Sequence, residues 1–171
     1  TASGTEANKP VLQSGCQREA EPGHLVVSGV EHPSVEKPVT VLESRGWEVS
    51  WIEPDGQGRV DAAAMVAAIR PETRLVALVL ANNVVGTLQP VAEVAVACRQ
   101  AGAPLLCDAV QAAGKIVVEA EAMGADYLTI GAHKFYGPLG AAALWVRQGA
   151  PISPLLLGGS QERQRRAGTQ N

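Results

Sequence analysis

Lys134 lies in the run Leu128-Thr-Ile-Gly-Ala-His-Lys-Phe-Tyr-Gly-Pro138, at the end of an apolar strand-like stretch, directly after His133. A second apolar run, Leu105-Leu-Cys-Asp108, ends in a carboxylate. A lysine can form a Schiff base with a carbonyl, and an aspartate can hold the proton of a pyridinium nitrogen. Those are the two groups that pyridoxal phosphate (PLP) chemistry requires of its protein. A carboxylate ending an apolar strand is costly without a partner, and a pyridinium would be one. The plainer readings are a helix N-cap for Asp108 and a surface lysine for Lys134. The turn Phe135-Tyr136-Gly137-Pro138 favours a lysine constrained against a sheet.

Other polar groups have matching roles. Gln111, three residues beyond Asp108, is placed to reach a phenolic ring oxygen, and His32 could stack on an aromatic ring or be satisfied in its loop. Asn82-Asn83 could hydrogen-bond a ligand oxygen or simply form a turn. Ser3-Gly4-Thr5-Glu6 opens a helix, where N–H groups and the Thr5 hydroxyl could hold a phosphate, or Ser3 and Glu6 could form a capping box. The glycine-bounded segment from Gly158 to Thr169 carries Arg163, Arg165 and Arg166, and reads as a flexible tail or an anion-binding loop.

The elements that must position these groups alternate. A helix is expected from about Glu6 to Glu19, interrupted by Pro10, then a buried strand His24–Ser28. Ser34–Arg45 reads as a helix broken or kinked at Pro38 and closed by Gly46, and Trp47–Ile52 as a strand. Asp61 caps an alanine-rich helix reaching Arg70, and Leu75–Leu80 has the fully apolar character of a parallel-sheet strand. A helix from Pro90 to Gln100, a strand Leu105–Cys107, a short helix near Glu119–Met123 and the strand Tyr127–Ile130 follow. Ala141–Val146 is a last strand, antiparallel because only a short turn precedes it. The pattern predicts an α/β fold: three layers, doubly wound, with a mostly parallel sheet and helices on both faces. Ligands of such sheets bind beyond the carboxyl ends of the strands, where His32, Asn83, Asp108 and Lys134 fall.

Bulk properties limit the alternatives. The chain has 171 residues, 46% of them apolar, enough for one domain with a core, and its net charge of −3 supplies no field for nucleic acid or an anionic membrane. No apolar run reaches membrane-spanning length, and no signal peptide opens the chain. Cys16, Cys98 and Cys107 lack metal-ligand spacing and give no disulfide framework, so a reduced, cytoplasmic protein is expected. There is no initiator methionine, and both ends read as the middle of a fold, so the chain is expected to be a piece of a longer protein.

The motifs together resemble the cysteine desulfurase and selenocysteine lyase family, class-V aminotransferase-like enzymes of PLP fold type I. The resemblance rests on Ser3 to Asn8, Glu31-His32, Leu80 to Asn83 with Gly86-Thr87, Asp108 to Gln111 with Gly114-Lys115, His133 to Pro138, and Gly158 to Thr169, in family order. It implies that residues 1–171 are an incomplete PLP-binding large domain, lacking the small domain and the C-terminal part. Lys134 would be the Schiff-base lysine, Asp108 the pyridine-nitrogen partner and Gln111 the contact to the phenolic oxygen. His32 would stack on the ring and serve proton transfer, and Asn83 would lie near the ring oxygen and substrate. Gly4, Thr5 and His133 would hold the phosphate, and Thr169 would reach the phosphate of a neighbouring subunit, which implies a homodimer with shared sites. The implied reaction converts L-cysteine (or L-selenocysteine) to alanine, with sulfur passing as an enzyme persulfide toward an acceptor protein of iron–sulfur cluster assembly.

The chain also departs from that pattern. Gly131 stands where the family has a phosphate-contacting serine, Val84 where it has a glutamate, and Pro10 where a helix-compatible residue is expected. The family's nucleophilic cysteine and carboxylate-binding arginine lie beyond the chain, and none of its three cysteines matches the nucleophile. Three alternatives therefore stay open: a selenocysteine lyase, another class-V enzyme such as an aminotransferase or kynureninase-like hydrolase, and a non-catalytic homologue or inactive fragment.

Overall fold

In the computed structural model of the protein, residues 1–17 and 22–169 are described. Six strands, β1 (His24–Ser28), β2 (Glu48–Ile52), β3 (Thr73–Ala77), β4 (Leu105–Asp108), β5 (Tyr127–Gly131) and β6 (Ala142–Val146), form one sheet in the order β2-β1-β3-β4-β5-β6. Every neighbouring pair is parallel except β5–β6. The helices are α1 (Gly4–Gln17), α2 (Pro33–Glu43), α3 (Ala62–Ala67), α4 (Val91–Ala101) and α5 (Ala120–Met123).

Successive strand residues point to opposite faces, and each face has its own core. Val26, Val76, Leu105, Cys107 and Leu128 pack with Met65 of α3 and with Val94 and Cys98 of α4. Their neighbours Leu25, Val27, Leu75, Leu106 and Tyr127 pack with Val11 and Leu12 of α1 and with Val35 and Val39 of α2. The apolar strands are thus covered on both sides, which is the three-layer, doubly wound arrangement expected for a mostly parallel sheet. Among the described residues, no helix is long and apolar enough to cross a membrane.

Several boundaries differ from expectation. Helix α1 starts two residues earlier than Glu6 and runs through Pro10; the expected end at Glu19 lies outside the described residues. The missing N–H costs one helical bond, offset by burial of Ala7, Val11 and Leu12. Pro38 likewise stays inside a continuous α2, and α3 ends at Ala67, short of Arg70. The regular part of β3 ends at Ala77, although the N–H groups of Leu78 and Leu80 still donate to the Leu106 and Asp108 carbonyls at 3.0 and 2.9 Å. The apolar run to Leu80 is therefore a strand that loosens over the site while keeping its outer partners.

The face assignment predicts a contrast within one helix. Val94 is 0% exposed and Val96 is 60% exposed, two residues apart on α4. Val94→Ala is expected to destabilise the protein by about 2 kcal/mol and Val96→Ala by less than about 0.5 kcal/mol, read by denaturant unfolding.

Candidate active site

The topology reverses direction at β1, which has β2 on one side and β3 on the other, and this opens a crevice beyond the strand ends. A cavity of about 190 Å³ lies there. It is lined by Gly4 and Thr5 from the start of α1, His32 after β1, Asn83 after β3, Asp108 and Gln111 at and after β4, and His133 and Lys134 after β5. Thr169 does not line it; that residue is exposed on the C-terminal segment.

Lys134 stands on a 3-10 turn, Ala132–Lys134, that stops β5. The turn is held by the N–H groups of Phe135 and Gly137, both donating to the Ala132 carbonyl at 3.0 and 2.8 Å. Tyr136 adopts φ 65°, a costly conformation for a bulky residue. A Cβ at Gly137 would approach that of Ala132 to 2.6 Å, so only glycine lets the turn close. The lysine is thus exposed to the cavity from a constrained backbone.

Asp108 is 4% exposed. Its Oδ1 accepts the Val110 N–H at 3.0 Å and its Oδ2 accepts from Asn8 Nδ2 at 2.9 Å. The first bond is a tight local turn in place of the helix N-cap considered from sequence. Gln111, which lines the cavity, has its Oε1 accepting from Lys115 Nζ at 2.9 Å.

His32 caps α2: its Nδ1 accepts the Ser34 N–H at 3.1 Å. Nδ1 is then the acceptor, and in the neutral ring the proton sits on Nε2. The loop reading of this histidine is thus met through Nδ1, while the residue also lines the cavity. Of the asparagine pair, Asn82 makes the turn, donating to the Val30 carbonyl at 3.0 Å and accepting from the Val84 and Val85 N–H groups. Asn83 is left exposed to the cavity.

At α1, Ser3 Oγ accepts the Glu6 N–H at 3.1 Å, but the reciprocal half of a capping box is absent. The Glu6 carboxylate instead accepts from the Ala2 N–H at 2.6 Å and from Arg166 Nε at 2.5 Å. Arg166 thereby ties the C-terminal segment to the head of α1, and the Leu155 and Ala167 N–H groups bond within that segment at 2.7 and 3.2 Å. It is an anchored loop rather than a free tail. Arg163 and Arg165 face a separate cavity with Thr1 and Pro10, away from Lys134.

Behind the site lies Glu31, whose Oε1 accepts from Ser28 Oγ at 2.5 Å and from the Val79 N–H at 2.6 Å. Burial, reinforced by the Asp108 charge, pushes its pKa up to about 8 against those two bonds. Cys107 shares this surrounding, and burial drives its thiol pKa well above the usual value; burial pushes Cys98 up to about 12. Sequence reasoning did not single out Asn8, Ser34, Thr129 or Glu31. A signal existed for Asn8, a polar residue on the stripe shared with Gly4, Val11 and Leu12, where an apolar side chain belongs.

The class-V aminotransferase family model matches residues 1–171, and the chain belongs to that family. Over its whole length it is 40% identical to a protein named cysteine desulfurase IscS from Dictyoglomus turgidum and 41% identical to a cysteine desulfurase from Sinorhizobium fredii, covering 44% of each. Among solved structures, "SspA in complex with cysteine" superposes with TM-score 0.94 at 34% identity, over 99% of this chain and 50% of that one. A NifS-like protein gives TM-score 0.94 at 34% identity, over 100% of this chain and 48% of its own. The chain thus spans about half the length of the relatives it matches.

The Glu31 environment has a consequence for pH. Its folded pKa of about 8 exceeds the ordinary 4.5, so the folded state keeps a proton that the unfolded chain releases. Stability present at acid pH is then lost as pH rises from about 4.5 through 8. Glu31→Gln keeps an acceptor for Ser28 and Val79 and removes the titration. At pH 8 the variant should be more stable than the parent by about 1–2 kcal/mol, with the gain vanishing at pH 5, in unfolding curves taken at both pH values.

Proposed function

We propose that this chain holds pyridoxal 5'-phosphate on Lys134 and that the whole protein is a cysteine desulfurase, turning L-cysteine into L-alanine while its sulfur passes to an enzyme thiol as a persulfide. The observation that carries the reading is the convergence of Lys134, Asp108, His32, Gln111, Asn83, Thr5 and His133 on one cavity from the ends of four strands and the head of a helix. The donor set fits the group. A buried, ionisable Asp108 with lone pairs to spare suits a pyridinium, and the first N–H groups of α1, which have no intrahelical acceptor, suit a phosphate. A Cβ on Gly4 would meet Val110 Cγ2 at 2.9 Å, so the backbone approaches the cavity where a side chain could not.

When bound, PLP supplies an electron sink for the negative charge left at the substrate's Cα. Lys134 Nζ would anchor it and, once released by the substrate's amine, would take the α-proton; Asp108 would hold the proton on the ring nitrogen. Gln111 would donate toward the ring oxygen, Asn83 would orient substrate, and Thr5, Gly4 and His133 would hold the phosphate. His32 would face the ring, with Nε2 available to move a proton. The names of the relatives support cysteine as substrate, as does the structural neighbour described with cysteine. Cys98 and Cys107 are buried, with raised pKa values that disfavour the thiolate, so neither suits the attacking thiol. Thr169, exposed and off the cavity, suits a contact to a second copy's phosphate in a homodimer.

Borohydride reduction of the PLP-loaded protein should fix the cofactor on the peptide containing Lys134, read by mass spectrometry, and Lys134→Ala should abolish that adduct and the release of alanine from cysteine. An unchanged adduct in the variant would remove the assignment. Gly131 tests the phosphate end: it is extended at φ −133°, and a Cβ there lies 3.3 Å from His133 Cε1, a contact relieved by a small ring shift. Gly131→Ser is expected to tighten PLP binding by about fivefold, the value of one added hydrogen bond, in a fluorescence titration.

A further inference from the structure

Asn8 is 0% exposed, in the second turn of α1, between residues that pack into the apolar core. A buried amide is costly unless its polar atoms are paired, and an apolar side chain would fill the same place without that requirement. Its partners come from three other elements. Its Oδ1 accepts from Thr129 Oγ1 of β5 at 2.7 Å. Its Nδ2 donates to Asp108 Oδ2 at the end of β4 at 2.9 Å and to Ser34 Oγ of α2 at 3.0 Å. The amide has one possible orientation, because an ionised carboxylate only accepts and so must face the NH₂ group.

The chain of bonds continues. Ser34 Oγ accepts from Asn8 and so has its own proton for His32 Nδ1, 2.8 Å away, the atom that also receives the Ser34 N–H. One amide therefore bonds Asp108 directly and reaches His32 through Ser34. It fixes the plane of the Asp108 carboxylate together with the Val110 N–H, and each oxygen keeps a second lone pair for the cavity. Through Ser34 it supports the tautomer that leaves the His32 proton on Nε2. Without Asn8, Asp108 would keep only its local bond to Val110, and the carboxylate could swing about it.

We propose that Asn8 is a positioning residue that joins Asp108 and His32 into one buried hydrogen-bonded unit, setting the aim of the carboxylate and the protonated face of the imidazole together. The proposal rests on the PLP reading above, and its tests separate the two. In the unloaded protein, ¹⁵N spectra of the histidine rings at neutral pH should show His32 protonated on Nε2; a proton on Nδ1 would overturn the hydrogen-bond assignment whatever the cofactor. In the PLP-loaded protein, Asn8→Leu, similar in size and unable to hydrogen-bond, should weaken PLP binding about tenfold, the scale of a lost bond to a charged group, and displace the pH titration of the bound cofactor's absorption. Borohydride should still fix PLP on Lys134 in this variant. Thr129→Val, which removes only the donor to Asn8 Oδ1, should move the same titration in the same direction by less, and provides the test if Asn8→Leu does not fold. In the Asn8→Leu background Thr129→Val should add nothing. An unmoved titration in Asn8→Leu or, where that variant does not fold, in Thr129→Val alone would overturn the proposal, as would full additivity of the pair. Failure of the unsubstituted protein to take PLP on Lys134 would overturn the cofactor reading instead.

Discussion

The arrangement depends on keeping one carboxylate charged inside the protein. Asp108 ends a strand whose other residues belong to the core, and a charge there persists only where donors surround it. The Val110 N–H comes from its own turn, but the second donor must come from another element. Helix α1 supplies it, which requires the helix to lie directly against the turn after β4. Gly4 permits that approach, because any Cβ at that position would meet Val110. The same glycine that lets Asn8 reach Asp108 therefore also brings the N-terminus of α1 to the cavity. A single packing contact thus sets both the α1 end and the Asp108 end of the candidate site, the ends proposed for a phosphate and a pyridinium.

Placing Asp108 there has an electrostatic cost that the neighbouring carboxyl absorbs. Glu31 is buried close enough to feel the Asp108 charge, and its raised pKa near 8 keeps it protonated at neutral pH. Burial thus leaves Glu31 uncharged beside the Asp108 carboxylate. Ser28 and the Val79 N–H hold Glu31 in either state. Because Val79 lies where β3 loosens, the carboxyl also pins the strand end that leads to Asn83.

How much of this was legible in the sequence follows from the kind of signal each part leaves. The apolar strands, Gly102 closing α4 and the Asp61 cap are local features, so their elements were found. Lys134, Asp108 and His32 stood out as polar residues after apolar runs, and all three line the one cavity. Tertiary packing overrode local chemistry at two prolines: Pro10 was read as an interruption and Pro38 as a break or kink, yet both helices run on because their buried faces outweigh one missing bond. The capping box failed for a different reason: the Glu6 partner, Arg166, lies 160 residues away and leaves no local pattern. Thr129 and Ser34 were invisible for the same reason, since a buried hydroxyl is recognisable only once its partner is known.

The departures at positions 84 and 131 bear on whether the site is intact. Val84 is 82% exposed, and the turn uses its backbone N–H rather than its side chain, with Asn82 doing the holding. A charge lost there removes no interaction within this chain. Gly131 has ordinary extended backbone, so its missing side chain distorts nothing around Lys134. A site released from binding a charged ring would gain stability by replacing its buried polar groups with apolar ones, because a buried hydrogen-bonded cluster is seldom better than good packing. Here Asn8, Ser34, Asp108 and Thr129 are all present, buried and mutually bonded. They cost folding energy and contribute little to the core that leucine or valine would not. The cation proposed to lie against Asp108 would account for that expense, which a non-catalytic scaffold would have no use for.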